Sequence, residues 1–291
     1  MEFKERLEQY KTMVESYLAH YFGDAKRPYQ KLIDSMEYSL MAGGKRLRPA
    51  LVLEFCRVCG GDVAKAVPVA AGVEMLHTYT LIHDDLPSMD NDDMRRGKPT
   101  NHKVFGEFTA TLAGDALQAE AYASILSAQL PPEILVKCVS ALIEVAGADG
   151  ICGGQQLDME GEGAPRTESD LREVHKRKTA ALIRGACIMG VACAAGTHEQ
   201  ERAAIDYAEA LGLAFQIRDD MLDEISTAEE LGKPIGSDQE QGKTTFMTLF
   251  GHEGCEQKIN ALTAMAKDAC AIFEDSSFLI ALADSMAVRK N

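Results

Sequence analysis

Two clusters of aspartates are the residues of this sequence whose types and spacing could do chemistry. The first spans residues 84–90 (DDLPSMD) and the second spans residues 219–223 (DDMLD). Asp219 and Asp223 are four residues apart, so on a helix they would share one face, where like charges repel each other. A cation would relieve that repulsion, and oxygen ligands favour a hard ion such as Mg²⁺, which binds through one or two carboxylates plus substrate phosphates. The pattern predicts a metal-bridged phosphate or diphosphate site.

Basic residues lie close to both clusters. Arg95 and Arg96 follow the first cluster and offer fork-shaped donors that suit diphosphate oxygens. The glycines at 43–44 allow close backbone approach, and the following amides together with Lys45 and Arg48 could form an anion pocket at a helix start. Further basic or polar candidates, each unremarkable when taken alone, follow later in the chain: Lys178, Thr179, Lys233 and Lys243.

Composition narrows the classes of function. The chain has 291 residues, of which 46% are apolar, and a formal net charge of −15. No general basic field exists to collect nucleic-acid phosphates, so we expect no nucleic-acid partner. Every apolar run is interrupted well short of the ~20 residues that a membrane span needs, so we expect no membrane insertion. The N-terminus is charged rather than signal-like, and eight scattered cysteines favour a reduced, cytoplasmic protein.

The sequence pattern predicts that helices position these residues. Apolar residues recur at steps of three and four through most of the chain, whereas alternating strand patterns are nearly absent. We predict an all-α fold in one domain over residues 1–291. The expected helices lie near 2–20, 29–41, 46–59, 63–87, 105–129, 132–149, 168–195, 199–225, 255–274 and 277–288. The least helical stretches are 88–102, 150–167 and 226–242.

Two tempting signals point elsewhere and are set aside, and one arginine is unusual in its position. The segment 236–244 resembles a nucleotide-binding P-loop, but five residues separate its glycines where that motif has four. Cys56 and Cys59 lack the second pair that a zinc site needs, so we expect them to pack in a helix. Arg218 directly precedes the second aspartate cluster, and no carboxylate lies one turn away on its helix, so we expect its side chain to reach solvent.

Seven motifs in this order and spacing resemble the trans-isoprenyl diphosphate synthase family, and within it the bacterial type of farnesyl diphosphate synthase. They are GGKRLRP (43–49), LIHDDLPSMDNDDMRRGKPTNH (81–102), AGDAL (113–117), GGQQLD (153–158), KTAALIR (178–184), GLAFQIRDDMLD (212–223) and GKPIGSDQEQGKTT (232–245). The resemblance runs from about residue 25 to the C-terminus. It implies a single-domain helical bundle around a central cavity, usually assembled as a homodimer.

The resemblance also implies roles for the candidate residues. Three Mg²⁺ ions, with Mn²⁺ as an alternative, would be surrounded by Asp84, Asp85, Asp90, Asp219, Asp220 and Asp223. The allylic diphosphate would be held by Arg95, Lys178, Lys233 and Lys243. Isopentenyl diphosphate would be held by Lys45, Arg48, His77 and Arg96. The allylic cation would be stabilised by Thr179 and Gln216, with the carbonyl of Lys178. The segment 226–242 would close over the site when substrate binds.

The implied reaction joins isopentenyl diphosphate to dimethylallyl or geranyl diphosphate, head to tail, with Mg²⁺. In similar enzymes the residue at the position of Tyr79, five before Asp84, forms the cavity floor, and Thr80 is small enough not to stop growth at C10. We therefore expect the C15 product, (2E,6E)-farnesyl diphosphate. Geranylgeranyl diphosphate as product, a class I terpene cyclase and a catalytically silent partner subunit are the alternatives. The two basic sets argue against a cyclase, which needs no second diphosphate site.

Overall fold

Helices make up about three quarters of the part of the chain that the computed structural model describes, namely residues 2–161, 163–225 and 244–289. The α-helices in chain order are α1 (Phe3–His20), α2 (Gln30–Leu40), α3 (Leu47–Val58), α4 (Val63–Asp84), α5 (Asn101–Phe105), α6 (Glu107–Leu126), α7 (Pro132–Ala146), α8 (Ile151–Glu160), α9 (Glu168–His175), α10 (Ala181–Cys193), α11 (His198–Ile225), α12 (Phe246–Ala269) and α13 (Ser277–Ala287). A π-helix, Lys176–Ala180, joins α9 to α10, and a 3₁₀ turn, Cys270–Ile272, follows α12. The prediction of an all-α fold is confirmed.

Several of these helices begin with a side-chain cap, at the point where the sequence changes from polar to apolar. Asp62 caps α4 by accepting a hydrogen bond from the amide of Ala64 at 3.0 Å. Thr167 and Asp170 form a capping box at the start of α9, in which each side chain bonds the other residue's backbone amide. Such caps satisfy amides that have no partner within the helix, and each contributes about 1 kcal/mol.

α4 is the central helix of the bundle. Thirteen of its 22 residues are buried, and it packs against α3, α6 and α1. A helix that is apolar on most of its circumference must be enclosed on all sides, so its last turn, which carries the first aspartate cluster, ends inside the bundle. α11 carries the second cluster and packs against α10, α12 and α13.

The structure corrects several predicted boundaries. The stretch 150–167, expected to be irregular, contains α8. The expected helix 105–129 is α6, and an unpredicted short helix, α5, precedes it, with Gly106 between the two at a positive φ of 89°. α12 begins at Phe246, nine residues before the predicted start, and is kinked at Gly251. Residues 94–99 form a small unpredicted hairpin in which β1 (Met94–Arg95) pairs antiparallel with β2 (Lys98–Pro99).

The expectation for Arg218 was wrong. Its guanidinium donates hydrogen bonds of 2.8 and 3.0 Å to the carboxylate of Glu256 on α12, and it also donates to the carbonyl of Ala287. Its side chain is only 11% exposed, because α12 and α13 cover this side of α11. Arg218 therefore ties α11 to two later helices.

Three further expectations concern the two cysteines of α3, membrane spans and the closing segment. Cys56 is buried within α3, as predicted, and Cys59 lies at its C-terminal cap. Within the described residues, no helix combines the length and the hydropathy that crossing a membrane would require. The predicted closing segment 226–242 lies outside the described residues.

Candidate active site

The first aspartate cluster lies where α4 ends. Asp84 is the last residue of the helix, and the chain then turns so that the amide of Asp90 donates to the carbonyl of Asp84 at 2.9 Å. This bond brings the two ends of the DDLPSMD segment together. Asp85 is buried, and Arg95 donates to its Oδ1 at 2.6 Å and to Asp92 at 3.3 Å.

Burial perturbs the titration of this cluster. Burial, together with the nearby charge of Asp90, raises the pKa of Asp84 to about 6, against the lowering effect of Lys178. Burial likewise raises the pKa of Asp85 to about 7, against the lowering effect of Arg95. Because burial disfavours the charged form, a bound cation would stabilise both carboxylates in their ionised form.

The π-helix Lys176–Ala180 connects the two clusters. Lys178 donates to Asp158 at 2.7 Å and is attracted to Asp84 and Asp90. Thr179 donates from its hydroxyl to the side-chain oxygen of Gln216 on α11 at 3.1 Å. π-helical turns occur often at functional sites, because the extra residue changes which side chains face inward.

Two glycines hold the π-helix close to its neighbours. A Cβ at Gly154 on α8 would lie 2.4 Å from the backbone nitrogen of Lys178, and a Cβ at Gly212 on α11 would lie 2.6 Å from the Cβ of Ala180. Any larger residue would force these elements apart. The GGQQLD and GLAFQIRDDMLD motifs therefore serve packing as well as chemistry.

The aspartates of the second cluster make different contacts. Gln216 donates to Asp220 Oδ1 at 3.0 Å, and the amide of Phe246 donates to Asp220 Oδ2 at 2.9 Å, so Asp220 fixes the start of α12 against α11. Asp219 faces the other way and forms an ion pair with Arg289, after α13. Asp223 is buried one turn further along α11.

A basic cavity of about 290 Å³ lies among α3, α4, α10, α11 and α13. Its polar wall contains the four residues predicted to hold isopentenyl diphosphate, Lys45, Arg48, His77 and Arg96. Arg48 lies 3.3 Å from the Nε2 of His77, and burial together with the Arg48 and Arg96 charges lowers the pKa of His77 well below its usual range. The imidazole is therefore neutral, and the cavity attracts anions through its arginines and lysine.

The two predicted chain-length residues lie on α4 below Asp84. Tyr79 is 8% exposed, with its ring edge-on to His83 at a centroid separation of 5.4 Å and its hydroxyl 3.6 Å from the Sγ of Cys152 on α8. Thr80 is half-buried, and its hydroxyl donates to the carbonyl of His77 at 2.7 Å. Tyr79 is thus fixed by a contact between two helices, whereas Thr80 is fixed within its own helix.

Sequence reasoning missed three charged residues at this site. Asp158 pairs with Lys178, Glu74 pairs with arginines in the wall of the basic cavity, and Arg289 lines the same cavity. Asp158 could have been found, since it ends the GGQQLD motif. Glu74 lies three residues before His77 on one helix face, but its partners are distant in sequence. The predicted ligands Lys233 and Lys243 lie outside the described residues.

The aspartates suit Mg²⁺ by donor type, because all are carboxylates and hard cations prefer oxygen. Within the described residues, no three acidic, histidine or cysteine side chains are grouped closely enough to hold an ion by themselves. This agrees with the way Mg²⁺ binds, through one or two carboxylates plus substrate phosphates and water.

Fold and site together define an all-α prenyltransferase with two aspartate clusters and a basic cavity. The model of the family described as polyprenyl synthetase matches residues 29–274, and the chain belongs to this family. It is 46% identical over 256 residues to the farnesyl diphosphate synthase of Geobacillus stearothermophilus, covering 87% of this chain and 86% of that protein. It is 42% identical over 264 residues to the geranylgeranyl diphosphate synthase of Cyanophora paradoxa, covering 89% and 88%.

Solved structures agree with this assignment. The apo structure of a synthase from Zymomonas mobilis, described as FPP/GFPP synthase, superposes with a TM-score of 0.88 at 32% identity, covering 98% of this chain and 99% of that one. A geranyltransferase from Legionella pneumophila gives a TM-score of 0.87 at 33% identity, covering 98% and 96%. The resemblance stated from the motifs is confirmed.

Proposed function

We propose that this chain is a Mg²⁺-dependent farnesyl diphosphate synthase that condenses isopentenyl diphosphate with dimethylallyl or geranyl diphosphate. The observation that carries the proposal is the pairing of two unlike subsites. One contains Lys178, Arg95 and the first aspartate cluster, and the other is the basic cavity around Arg48 and Arg96. Two diphosphate subsites suit a condensation of two diphosphates.

The allylic subsite favours loss of the diphosphate leaving group. Bound metal would be held by the aspartates, with Asp84, Asp90, Asp219 and Asp223 as the closest ligands, and would supply charge neutralisation on the departing diphosphate. Burial lowers the pKa of Lys178, but attraction to Asp158 and Asp84 outweighs it and raises the pKa above its ordinary value. Lys178 is therefore charged and positioned to bind the same phosphate oxygens as Arg95, a preorganised electrostatic effect.

Neutral oxygens stabilise the allylic cation. The Thr179 hydroxyl donates to Gln216 Oε1, which fixes the oxygens of both side chains between the π-helix and α11. Oxygen lone pairs stabilise positive charge without forming a bond to it. The double bond of isopentenyl diphosphate then attacks the cation, and the resulting carbocation loses a proton to the departed diphosphate. No protein nucleophile is required, and apolar residues such as Leu211 and Phe215 in the cavity wall exclude water.

We propose C15 as the main product because Tyr79, five residues before Asp84 on α4, is a bulky and buried side chain. Geranylgeranyl diphosphate is the second candidate, supported by the 42% identity to a geranylgeranyl diphosphate synthase. The test is product analysis with Mg²⁺, isopentenyl diphosphate and either dimethylallyl or geranyl diphosphate. After phosphatase treatment, farnesol supports the proposal and geranylgeraniol supports the second candidate. No condensation product from folded protein would support a silent partner subunit instead.

We also propose that the chain is a homodimer. Large apolar side chains are exposed on two neighbouring helices, and three of them are more than half exposed on α6 alone: Phe108 (72%), Leu126 (57%) and Leu112 (51%). α7 adds Val136 and Ile143. A second copy would bury these side chains, which monomers rarely expose together. Light scattering should give twice the chain mass, and Phe108→Glu with Leu112→Glu should give the single-chain mass.

The cytoplasmic location predicted from the scattered cysteines is also a proposal. It is supported by eight free thiols, six of them buried, which suits a reducing compartment.

A further inference from the structure

A buried carboxylate lies among the arginines of the basic cavity. Glu74, on α4, is 2% exposed, and its Oε1 accepts a hydrogen bond from Arg46 Nη1 at 2.5 Å. The Nη2 of Arg96 lies 3.9 Å from the same oxygen. An acidic side chain in the wall of an anion-binding cavity opposes anion binding by charge, so its presence there calls for another explanation.

Arg46 is held in a strained conformation by this network. Its φ of +50° is left-handed, which costs a non-glycine residue about 1 kcal/mol or more. The strain is offset by hydrogen bonds to Glu74, to Glu15 at 3.2 Å and to the carbonyl of Leu40 at 2.7 Å. Arg46 is the N-cap of α3, directly after Lys45 and two residues before Arg48. Its conformation therefore sets the directions of both side chains.

Arg96 is held in the same way from the other side of the cavity. It too has a left-handed φ, +52°, and its Nη1 donates to the carbonyl of Gly43 at 2.5 Å. Its guanidinium lies so close to the loop that a Cβ at Gly44 would be 3.0 Å from its Cζ. The loop before α3 and the hairpin after the first aspartate cluster thus meet at Glu74.

The charges around Glu74 leave a net positive cavity. Burial lowers the pKa of both Arg48 and Arg96, and attraction to Glu74 raises it again. Among the described residues, no hydrogen-bond acceptor reaches the buried Nε of Arg48. Glu74 therefore compensates part of the mutual repulsion of three arginines, and the remainder is available to an anion.

We propose that Glu74, acting through Arg46 and Arg96, is a positioning residue of the isopentenyl diphosphate subsite. It holds the loop of Lys45 and Arg48 and the side chain of Arg96 at fixed directions around one diphosphate. The inference rests on the proposed function and adds two residues that do not themselves need to touch the substrate. Glu74 lies ten residues before Asp84, about 15 Å along α4 at ~1.5 Å per residue, so the first aspartate cluster should be unaffected.

The test is Glu74→Gln, which keeps the shape of the side chain and removes its charge. Its matched control is Glu15→Gln, because Glu15 also pairs with Arg46 but lies on α1 and is 29% exposed. Isopentenyl diphosphate binding is measured by calorimetry without Mg²⁺, and KM is measured for both substrates. Hydrogen bonds to charged groups contribute about 1.5–3 kcal/mol, so isopentenyl diphosphate should bind at least about tenfold more weakly to Glu74→Gln.

The outcomes separate positioning from the alternatives. A tenfold loss for isopentenyl diphosphate, with the allylic KM within about twofold and a clearly smaller loss for Glu15→Gln, supports the proposal. Unchanged or tighter binding of isopentenyl diphosphate to Glu74→Gln overturns the proposal, because Glu74 would then only reduce the positive charge of the cavity. Equal losses for both substrates, together with a lower melting temperature, overturn it in favour of a general packing role. If Glu74→Gln does not fold, Glu74→Asp should show the same selective loss in smaller measure, and an unselective loss overturns the proposal. Wild-type protein that makes no product but binds isopentenyl diphosphate would refute the proposed function alone.

Discussion

Replacing Tyr79 with alanine should lengthen the product by one five-carbon unit. Tyr79 lies five residues before Asp84 on α4, about 7.5 Å along the helix at ~1.5 Å per residue. Its ring packs edge-on against His83, and its hydroxyl contacts Cys152 on α8. A growing chain that reaches this depth must displace a side chain that two helices hold in place.

The size of the effect follows from packing energies. Forcing extra methylenes into a packed space costs about 1–3 kcal/mol. Each 1.36 kcal/mol is a factor of ten in rate, so Tyr79 should favour stopping at C15 over further growth by roughly 5- to 150-fold. C20 product should therefore be at most about a sixth of the wild-type output. Without the ring this preference disappears, and C20 should become the main product when isopentenyl diphosphate is in excess.

The assay is chromatography of the alcohols after phosphatase treatment, with Tyr79→Phe as the matched control. Phenylalanine keeps the ring and loses only the hydroxyl contact with Cys152, so its product should stay C15. Loss of a buried aromatic side chain costs about 3 kcal/mol, so the reaction is run well below the melting temperature of the variant. A folded, active Tyr79→Ala that still makes only C15 would show that another residue forms the floor.

Three further predictions follow from contacts and charges at the site. Asp158→Asn should raise the KM of the allylic substrate about tenfold, because Lys178 loses a charged partner at 2.7 Å. The KM of isopentenyl diphosphate should stay unchanged, and equal changes in both KM values would contradict this prediction. Arg218→Met should lower the free energy of unfolding by about 1–2 kcal/mol, and in a denaturant double-mutant cycle with Glu256→Gln the two losses should not add; simple additivity would show that the pair contributes nothing. Mg²⁺ must displace a proton from Asp84 below its pKa of about 6, so calorimetric Mg²⁺ affinity, measured with a diphosphate analogue, should rise from about pH 5 to about pH 7 and then level off. Asp84→Asn should flatten that rise, and an affinity independent of pH would count against the raised pKa.

The ends of α4 and α11 could be predicted from sequence because local signals mark them. α4 begins after the cap residue Asp62, continues through an apolar stretch and ends at the first aspartate cluster. Its burial and its end could therefore both be predicted. Apolar residues at helical spacing place the second cluster on α11 in the same way. The motifs then identified the family, and the role proposed for each cluster follows from that resemblance.

Other features depend on contacts that no local pattern reveals. Gly153 and Gly154 disfavour a helix by about 1 kcal/mol each, so α8 was missed, yet Gly154 is needed where α8 meets Lys178. The start of α12 was missed because the kink at Gly251 interrupts its periodicity. Arg218 finds its carboxylate 38 residues away in the chain, where intrahelical spacing rules do not apply.

The π-helix at Lys176–Ala180 makes the length of this segment as important as its composition. Successive residues of a helix are rotated by about 100°, so deleting a single residue before Lys178 would turn every later side chain of the segment by that angle. Thr179 would leave Gln216, and Lys178 would leave Asp158, although every residue that does the chemistry would still be present. This segment can therefore accept changes at outward positions such as Lys176 far more readily than the loss or gain of one residue.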